Sequence, residues 1–318
     1  MPEVVCLGIL VADVLARPVD EFPQRGRLVL VDRMELHTGG CAGNTAIGLS
    51  RIGVSTGVIG KVGDDGFGDF FLSVMDREGV DASRVVRDGL VNTSGTMVMV
   101  HGDGERSFIH YFGANAALRA QDVDFDRLAG VKLLHVAGTY LLPAIDGEPT
   151  ARLLAQARDR GLTTSLDTAW DSSGRWMATI EPALEHLDYF MPSIEEARMI
   201  AGLERPEDIA DAFLARGVGV VALKMSEDGC YIASRREKMR VPAFEVSAVD
   251  ATGAGDAFAA GFLAGVVKGW SLKETARFAN AVGALCTLAI GTTAGIKSMD
   301  ATREFMASAP LRESAGSS

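Results

Sequence analysis

The stretch VDATGAGDAFAAGFLAGVV, Val249 to Val267, sets Gly253, Ala254 and Gly255 directly before Asp256 at the start of a long apolar run. Three residues with almost no side-chain bulk let a ligand approach their backbone N–H groups. The first turn of a helix leaves such donors unpaired and carries the positive end of the macrodipole, so the turn favours an anion. Asp256 brings a carboxylate to the same point. Burying it without a partner is costly, so it is expected to face an opening. Donors for a transferring phosphoryl group beside a base for an attacking hydroxyl are what phosphoryl transfer requires. Tight packing of a helix start against a strand would explain the glycines but leaves the aspartate without a reason.

Two further features are weaker when taken alone. GGCAGN, Gly39 to Asn44, also opens a helix, and its glycines allow close approach while Asn44 offers an amide to a polyhydroxy ligand. A glycine pair before a helix is more often just a turn. Asp13 ends the first apolar run, Val4 to Leu10. Acids there are commonly solvated, but open α/β sheets bind ligands at that edge of the strands.

The chain that must position these residues has 318 residues, 47% of them hydrophobic, enough for a large core. Its formal net charge of -11 argues against a nucleic-acid partner, whose phosphates demand basic surfaces. Cys6, Cys41, Cys230 and Cys286 are widely spaced, so neither a disulfide framework nor a zinc site is expected. The histidines show no ligand spacing, and CLGILVAD after the first run lacks a dinucleotide fingerprint. No secretory leader and no membrane span stand out, which implies a cytoplasmic protein.

Apolar runs and helical periods alternate along the chain. Strands are expected at 57–62, 133–137, 163–167, 188–191 and 218–224, and helices at 150–160 and 194–201. Two long helices, 253–268 and 272–290, close the chain around a turn at Gly269. Such alternation implies a mostly parallel sheet covered by helices on both faces. Segments of about 14–36 and 91–112 break the rhythm with period-two patterns, and read as extra strands forming a lid. No linker divides residues 1–310, which form a single domain on this reading, and 311–318 read as a disordered tail.

Taken in order, the strand-end Asp13, the GG…N helix start, GAN at Gly113 to Asn115 and DATGAGD resemble the ribokinase-like (PfkB) carbohydrate kinase family. GGCAGNTAIGLSRIGVSTGVIGKVGDDGFG and VDATGAGDAFAAGFLAG match its signature regions, and the likeness runs from about residue 4 to 300. The resemblance implies a ribokinase-like three-layer α/β fold with a small β lid, through which a homodimer forms. It implies ATP and Mg²⁺, and K⁺ at Asp250 and Thr252. Asp256 then matches the catalytic base and Gly253 to Gly255 the anion hole. Asp13, Gly39, Gly40, Asn44 and Asn115 match the acceptor site. Ser193, Lys224, Ser226, Gly229 and Asn280 match the nucleotide site, and Glu196 matches an anchor for Mg²⁺ through water.

The chain also departs from the family pattern. Ser193 stands where the family's Asn-x-x-Glu element begins, and Cys41 where ribokinases proper have lysine. In LDTAWDSSGRW, Ala169 and Asp171 replace the Asn and Arg of an acid-sugar element. The implied acceptor is therefore a neutral sugar, fructose-like hexoses before ribose. A nucleoside is a further option, and a nucleotide- or sugar-binding regulatory protein without turnover is the rival. Arg106 and Arg175 are minor candidates for acceptor contacts.

Overall fold

The computed structural model describes residues 1–312. The chain begins with β1 (Val4–Gly8), β2 (Val11–Arg17), β3 (Arg33–Gly39) and α1 (Cys41–Ile52). It continues through β4 (Thr56–Ile59), β5 (Lys61–Gly63), α2 (Gly66–Arg77) and β6 (Val86–Asp88). Then come β7 (Gly95–Val100), β8 (Arg106–Tyr111), the short α3 (Gly113–Ala116) and β9 (Leu133–Thr139). Regular alternation follows: α4 (Glu148–Asp159), β10 (Thr163–Thr168), α5 (Met177–Leu184), β11 (Tyr189–Phe190), α6 (Ile194–Ala201), α7 (Pro206–Ala215) and β12 (Val220–Lys224). The hairpin β13 (Cys230–Ser234) and β14 (Lys238–Val241) leads to α8 (Ala254–Lys268), α9 (Leu272–Cys286) and α10 (Met299–Ser308).

An eight-stranded sheet in the order β14-β13-β12-β11-β10-β9-β1-β4 forms the middle layer. From β4 to β12 neighbouring strands pair in parallel, and only the β13–β14 edge runs antiparallel. Strand side chains alternate between two cores. Val5 and Leu7 face the core under α4 to α7, whereas Val4 and Cys6 face the one under α1, α2, α8 and α9. Helix α8 is apolar nearly all round because it is buried nearly all round, from Ala257 to Gly265.

The lid is a separate sheet of four strands in the order β3-β2-β7-β8. Its strands occupy the ends of the two irregular segments, while residues 18–32 form no strand. Two strand boundaries differ from the sequence expectation for one reason: a continuous apolar run does not show where the chain changes sheet. The run from Val4 breaks after Gly8, where β2 leaves for the lid, so Asp13 sits within a lid strand rather than at the end of β1. The run 57–62 likewise divides into β4 of the large sheet and β5, which pairs with β6. Helix α9 ends at Cys286, before Ile290. The expected disordered tail is also corrected in part. Leu311 bridges Phe244 and the Arg312 N–H donates to the Ala243 carbonyl, while 313–318 lie outside the described residues. Among the described residues no helix is long and apolar enough to cross a membrane.

Candidate active site

Gly253 caps α8 with φ +80°, and a Cβ there would lie 2.3 Å from the Thr292 carbonyl oxygen. Both the left-handed backbone and that close approach demand glycine, and they turn the chain so that α8 begins at Ala254. Asp256 follows in the first turn and is half-buried. Its Oδ2 accepts a hydrogen bond from Asn44 Nδ2 at 2.8 Å. Asn44 Oδ1 in turn accepts from Thr292 Oγ1 at 2.9 Å. Asn44 therefore holds Asp256 from α1. Burial raises the Asp256 carboxyl above its ordinary value, and the Asn44 hydrogen bond and the Lys224 charge pull it back.

Lys224, at the end of β12, lies beside Gly255 and donates to both oxygens of Asp167 at 2.6 and 2.7 Å. Asp167 is the next-to-last residue of β10, near the strand end where Asp13 was expected on β1, so the same strand-edge argument would have pointed to it. It is 2% exposed, and burial pushes its carboxyl up to about 7 against the pull of Lys224. Glu196 accepts from Thr168 Oγ1 at 2.8 Å and from the Ser193 N–H at 3.0 Å. Ser193 caps α6 by accepting from the Glu196 N–H, so a serine completes a reciprocal capping box at this position. Asp167 and Asp256 both feel the charges of Lys224 and Glu196. The carboxylates outnumber the lysine there.

Cys41 opens α1 against the same group. Burial, followed by the charges of Asp256 and Asp167, pushes its thiol well above its usual range. A helix N-terminus alone would lower it, but desolvation and neighbouring anions win.

Of the acceptor candidates, Asp13 and Gly39 belong to the lid. Asp13 in β2 stands opposite His37 of β3 and Thr96 of β7. His110 of β8 reaches the Thr96 hydroxyl at 3.1 Å. Burial raises the Asp13 carboxyl, opposed by Thr96, His110 and His37. A Cβ on Gly39 would lie 2.1 Å from Asp13 Oδ2, so glycine is what leaves this carboxylate its place. Gly40 has φ +87° and caps α1.

Other candidates are engaged elsewhere. Asn115 accepts from the Leu10 N–H and donates to the Leu10 carbonyl, which holds the chain where it passes from β1 to β2. Asn280 donates to the carbonyls of Val241 and Pro242 at the end of β14. Ser226 is exposed at φ +50°, and Gly229 packs beneath the Val241 carbonyl. Arg175 donates to Ser173 within its own loop, whereas Arg106 crosses from the lid to Asp250 and Thr252.

The profile of the pfkB family carbohydrate kinases matches residues 1–299. The chain belongs to the PfkB family of carbohydrate kinases. It is 32% identical over 281 residues to a 2-dehydro-3-deoxygluconokinase of Bacillus subtilis, covering 85% of each chain. It is 30% identical over 268 residues to a probable fructokinase-5 of Arabidopsis thaliana, covering 78% of this chain and 82% of the other. A putative ribokinase II from E. coli, solved with ATP and Mg²⁺, superposes with a TM-score of 0.85 at 24% identity, over 96% of this chain and 99% of that one. The fold is thus ribokinase-like, and this PfkB protein is a sugar kinase, a phosphotransferase acting on a carbohydrate hydroxyl.

Proposed function

We propose that this kinase transfers the γ-phosphoryl group of ATP to a primary hydroxyl of a neutral sugar, a fructose-like hexose or ribose. One observation carries the reading: Asp256 is held by Asn44 in the first turn of α8, next to the Gly253 and Gly255 N–H groups and Lys224, while the Ala254 N–H donates to the Ala251 carbonyl at 3.2 Å. Asp256 takes the proton of the attacking hydroxyl, and the N–H groups of the turn receive the charge that develops on the phosphoryl oxygens. Lys224 lies where it can add a positive charge beside Gly255. Among the described residues no group of three or more His, Cys, Asp or Glu side chains is placed to hold a metal. The surplus of carboxylates instead fits an Mg²⁺ that arrives with the nucleotide, anchored through water by Glu196. Bound there, the ion would neutralise phosphate charge.

A neutral acceptor follows from Ala169 and Asp171 and from the polar wall of Asp13, Thr96, His37 and His110. Relatives named for both an acid sugar and fructose leave that choice to experiment. ADP release should be measured over a panel of hexoses, ribose, acid sugars and nucleosides. Turnover on a neutral sugar supports the reading, turnover only on an acid sugar or a nucleoside replaces the acceptor, and none at all favours the regulatory alternative.

Asp13→Ala should raise the acceptor KM and leave the ATP KM nearly unchanged. Each charge-assisted hydrogen bond lost is worth roughly 1.5–3 kcal/mol, so at least about a tenfold rise is expected. An equal weakening of both substrates would remove Asp13 from the acceptor site.

A homodimer through the lid belongs to the same proposal. Facing away from Asp13, the lid exposes Met34, Met97, Ile109 and Tyr111, an apolar face that a second copy would cover. Light scattering should give twice the chain mass of 33.6 kDa, and the mass of a single chain would eliminate the dimer.

A further inference from the structure

The lid is fastened to the anion-binding turn by a charge that the family resemblance did not anticipate. Arg106 opens β8, on the lid face that also carries Phe108 and His110, and through Thr96 the side of Asp13. Its guanidinium donates through Nη1 to Thr252 Oγ1, and its Nη2 lies 2.7 Å from Asp250 Oδ1. Asp250 Oδ1 also accepts from the Thr252 N–H, and Oδ2 accepts from the Gly291 N–H, each at 2.9 Å. The Asp250 side chain is only 4% exposed. Thr252 directly precedes Gly253, so this carboxylate sets the backbone from which the anion hole begins.

The opposite edge of the lid lies close to the same turn. Thr292 Oγ1 lies 3.3 Å from the Thr38 carbonyl in β3, while the Thr292 carbonyl closes on Gly253. Both edge strands of the lid, β3 and β8, therefore meet the turn, and the β8 contact is the charged one.

The donors around Asp250 do not fit the monovalent cation expected there. Two backbone N–H groups and a guanidinium already surround the carboxylate, and an added cation would sit against a like charge. We infer that Arg106 is a positioning residue that couples seating of the lid to the geometry of the anion hole, its guanidinium taking the place of a monovalent ion at Asp250. A fork of planar donors suits this double contact with carboxylate and hydroxyl better than an ammonium does. When the lid is seated, Asp250 is neutralised and the Thr252–Gly253 backbone is held. When it lifts, the carboxylate loses its partner and the turn loosens, which links acceptor enclosure to phosphoryl transfer.

The inference rests on the phosphoryl-transfer reading of the Gly253–Asp256 turn, so its test has one arm independent of turnover. Hydrogen exchange in the free protein should show faster exchange of the 95–111 amides in Arg106→Gln than in the wild type. In turnover assays, wild-type activity should differ by less than about twofold between KCl and tetramethylammonium chloride, since the fixed charge leaves little for K⁺ to add. Losing its charge-assisted bonds should lower kcat of Arg106→Gln by at least about tenfold, with little change in the ATP KM. That variant alone should be stimulated by K⁺, and Arg106→Lys should recover part of the rate. A purely structural arginine would give neither the kcat-selected loss nor a salt response confined to the variant. Strong K⁺ activation of the wild type would overturn the inference, as would wild-type kcat in Arg106→Gln or unchanged exchange at 95–111. If Arg106→Gln does not fold, the wild-type salt comparison and Arg106→Lys decide. If no acceptor supports turnover, the kinase reading fails separately while the exchange arm still decides whether the lid is latched.

Discussion

Asp256→Asn should fold, bind ATP and turn over at least about 10²-fold more slowly than the wild type, since a positioned general base contributes about 10²–10⁴-fold. The substitution keeps the side chain's size and one acceptor oxygen, so Asn44 Nδ2 retains its partner. It removes the group that takes the proton in the proposed transfer. It also removes a negative charge beside the bound phosphates, so ATP binding should hold or tighten while chemistry slows. The two effects point in opposite directions, which separates loss of a base from general damage. Single-turnover phosphoryl transfer, ATP titration and a thermal melt read the three quantities. Near wild-type turnover in a folded variant would leave Asp256 as a helix-start residue only.

Lys224→Met should cost stability, and should cost more at pH 8 than at pH 6. Lys224 and Asp167 form a buried pair with side chains 13% and 3% exposed. Removing one partner of such a pair destabilises by about 3–5 kcal/mol. The lower end is expected here, because Asp167 has a way out. Burial already raises its carboxyl to about 7 with the lysine present, and without the lysine the rise is larger. In the unfolded chain the same group titrates near about 3.9, so between those values the folded variant holds more protons than the unfolded one. Stability of an acid raised in this way falls as pH rises through that window. Melting curves at the two pH values provide the test, and a pH-independent loss would show that Asp167 does not protonate to relieve the burial. Phosphoryl transfer should fall as well, because the charge beside Gly255 is gone.

Some of this was legible in the chain because it is local. Gly253, Ala254, Gly255 and Asp256 are consecutive, and a helix start with unpaired donors is a property of a single turn. The regular β/α alternation after residue 133 was legible for the same reason, since each period is short and repeats. Gly39 and Gly40 marked a turn correctly. The particular reason for Gly39, the Asp13 carboxylate occupying the space of a Cβ, comes from a strand pairing.

Other residues show why reading stops there. Asn44 and Asn115 are the same residue type in glycine-containing helix starts, and both matched acceptor positions. Tertiary contacts direct one to Asp256 and the other to the backbone of Leu10. Asn280 likewise finds the carbonyls of Val241 and Pro242. An amide has donors and acceptors to satisfy wherever it is buried, and sequence does not show which groups will arrive. Asp167 went unnoticed because its partner, Lys224, is contributed by another strand.

The sequence by itself determined the layered α/β class, the existence of a lid, and a glycine-rich helix start carrying its own carboxylate, because these depend on composition and on spacing within one or two turns. The tertiary structure alone decided that Asn44 holds Asp256, that Lys224 pairs with Asp167, and that Arg106 reaches Thr252 from 146 positions away. Charges and amides separated by that much chain meet only where folding makes desolvation unavoidable and a partner necessary, and that location is a property of the packed core rather than of any local pattern.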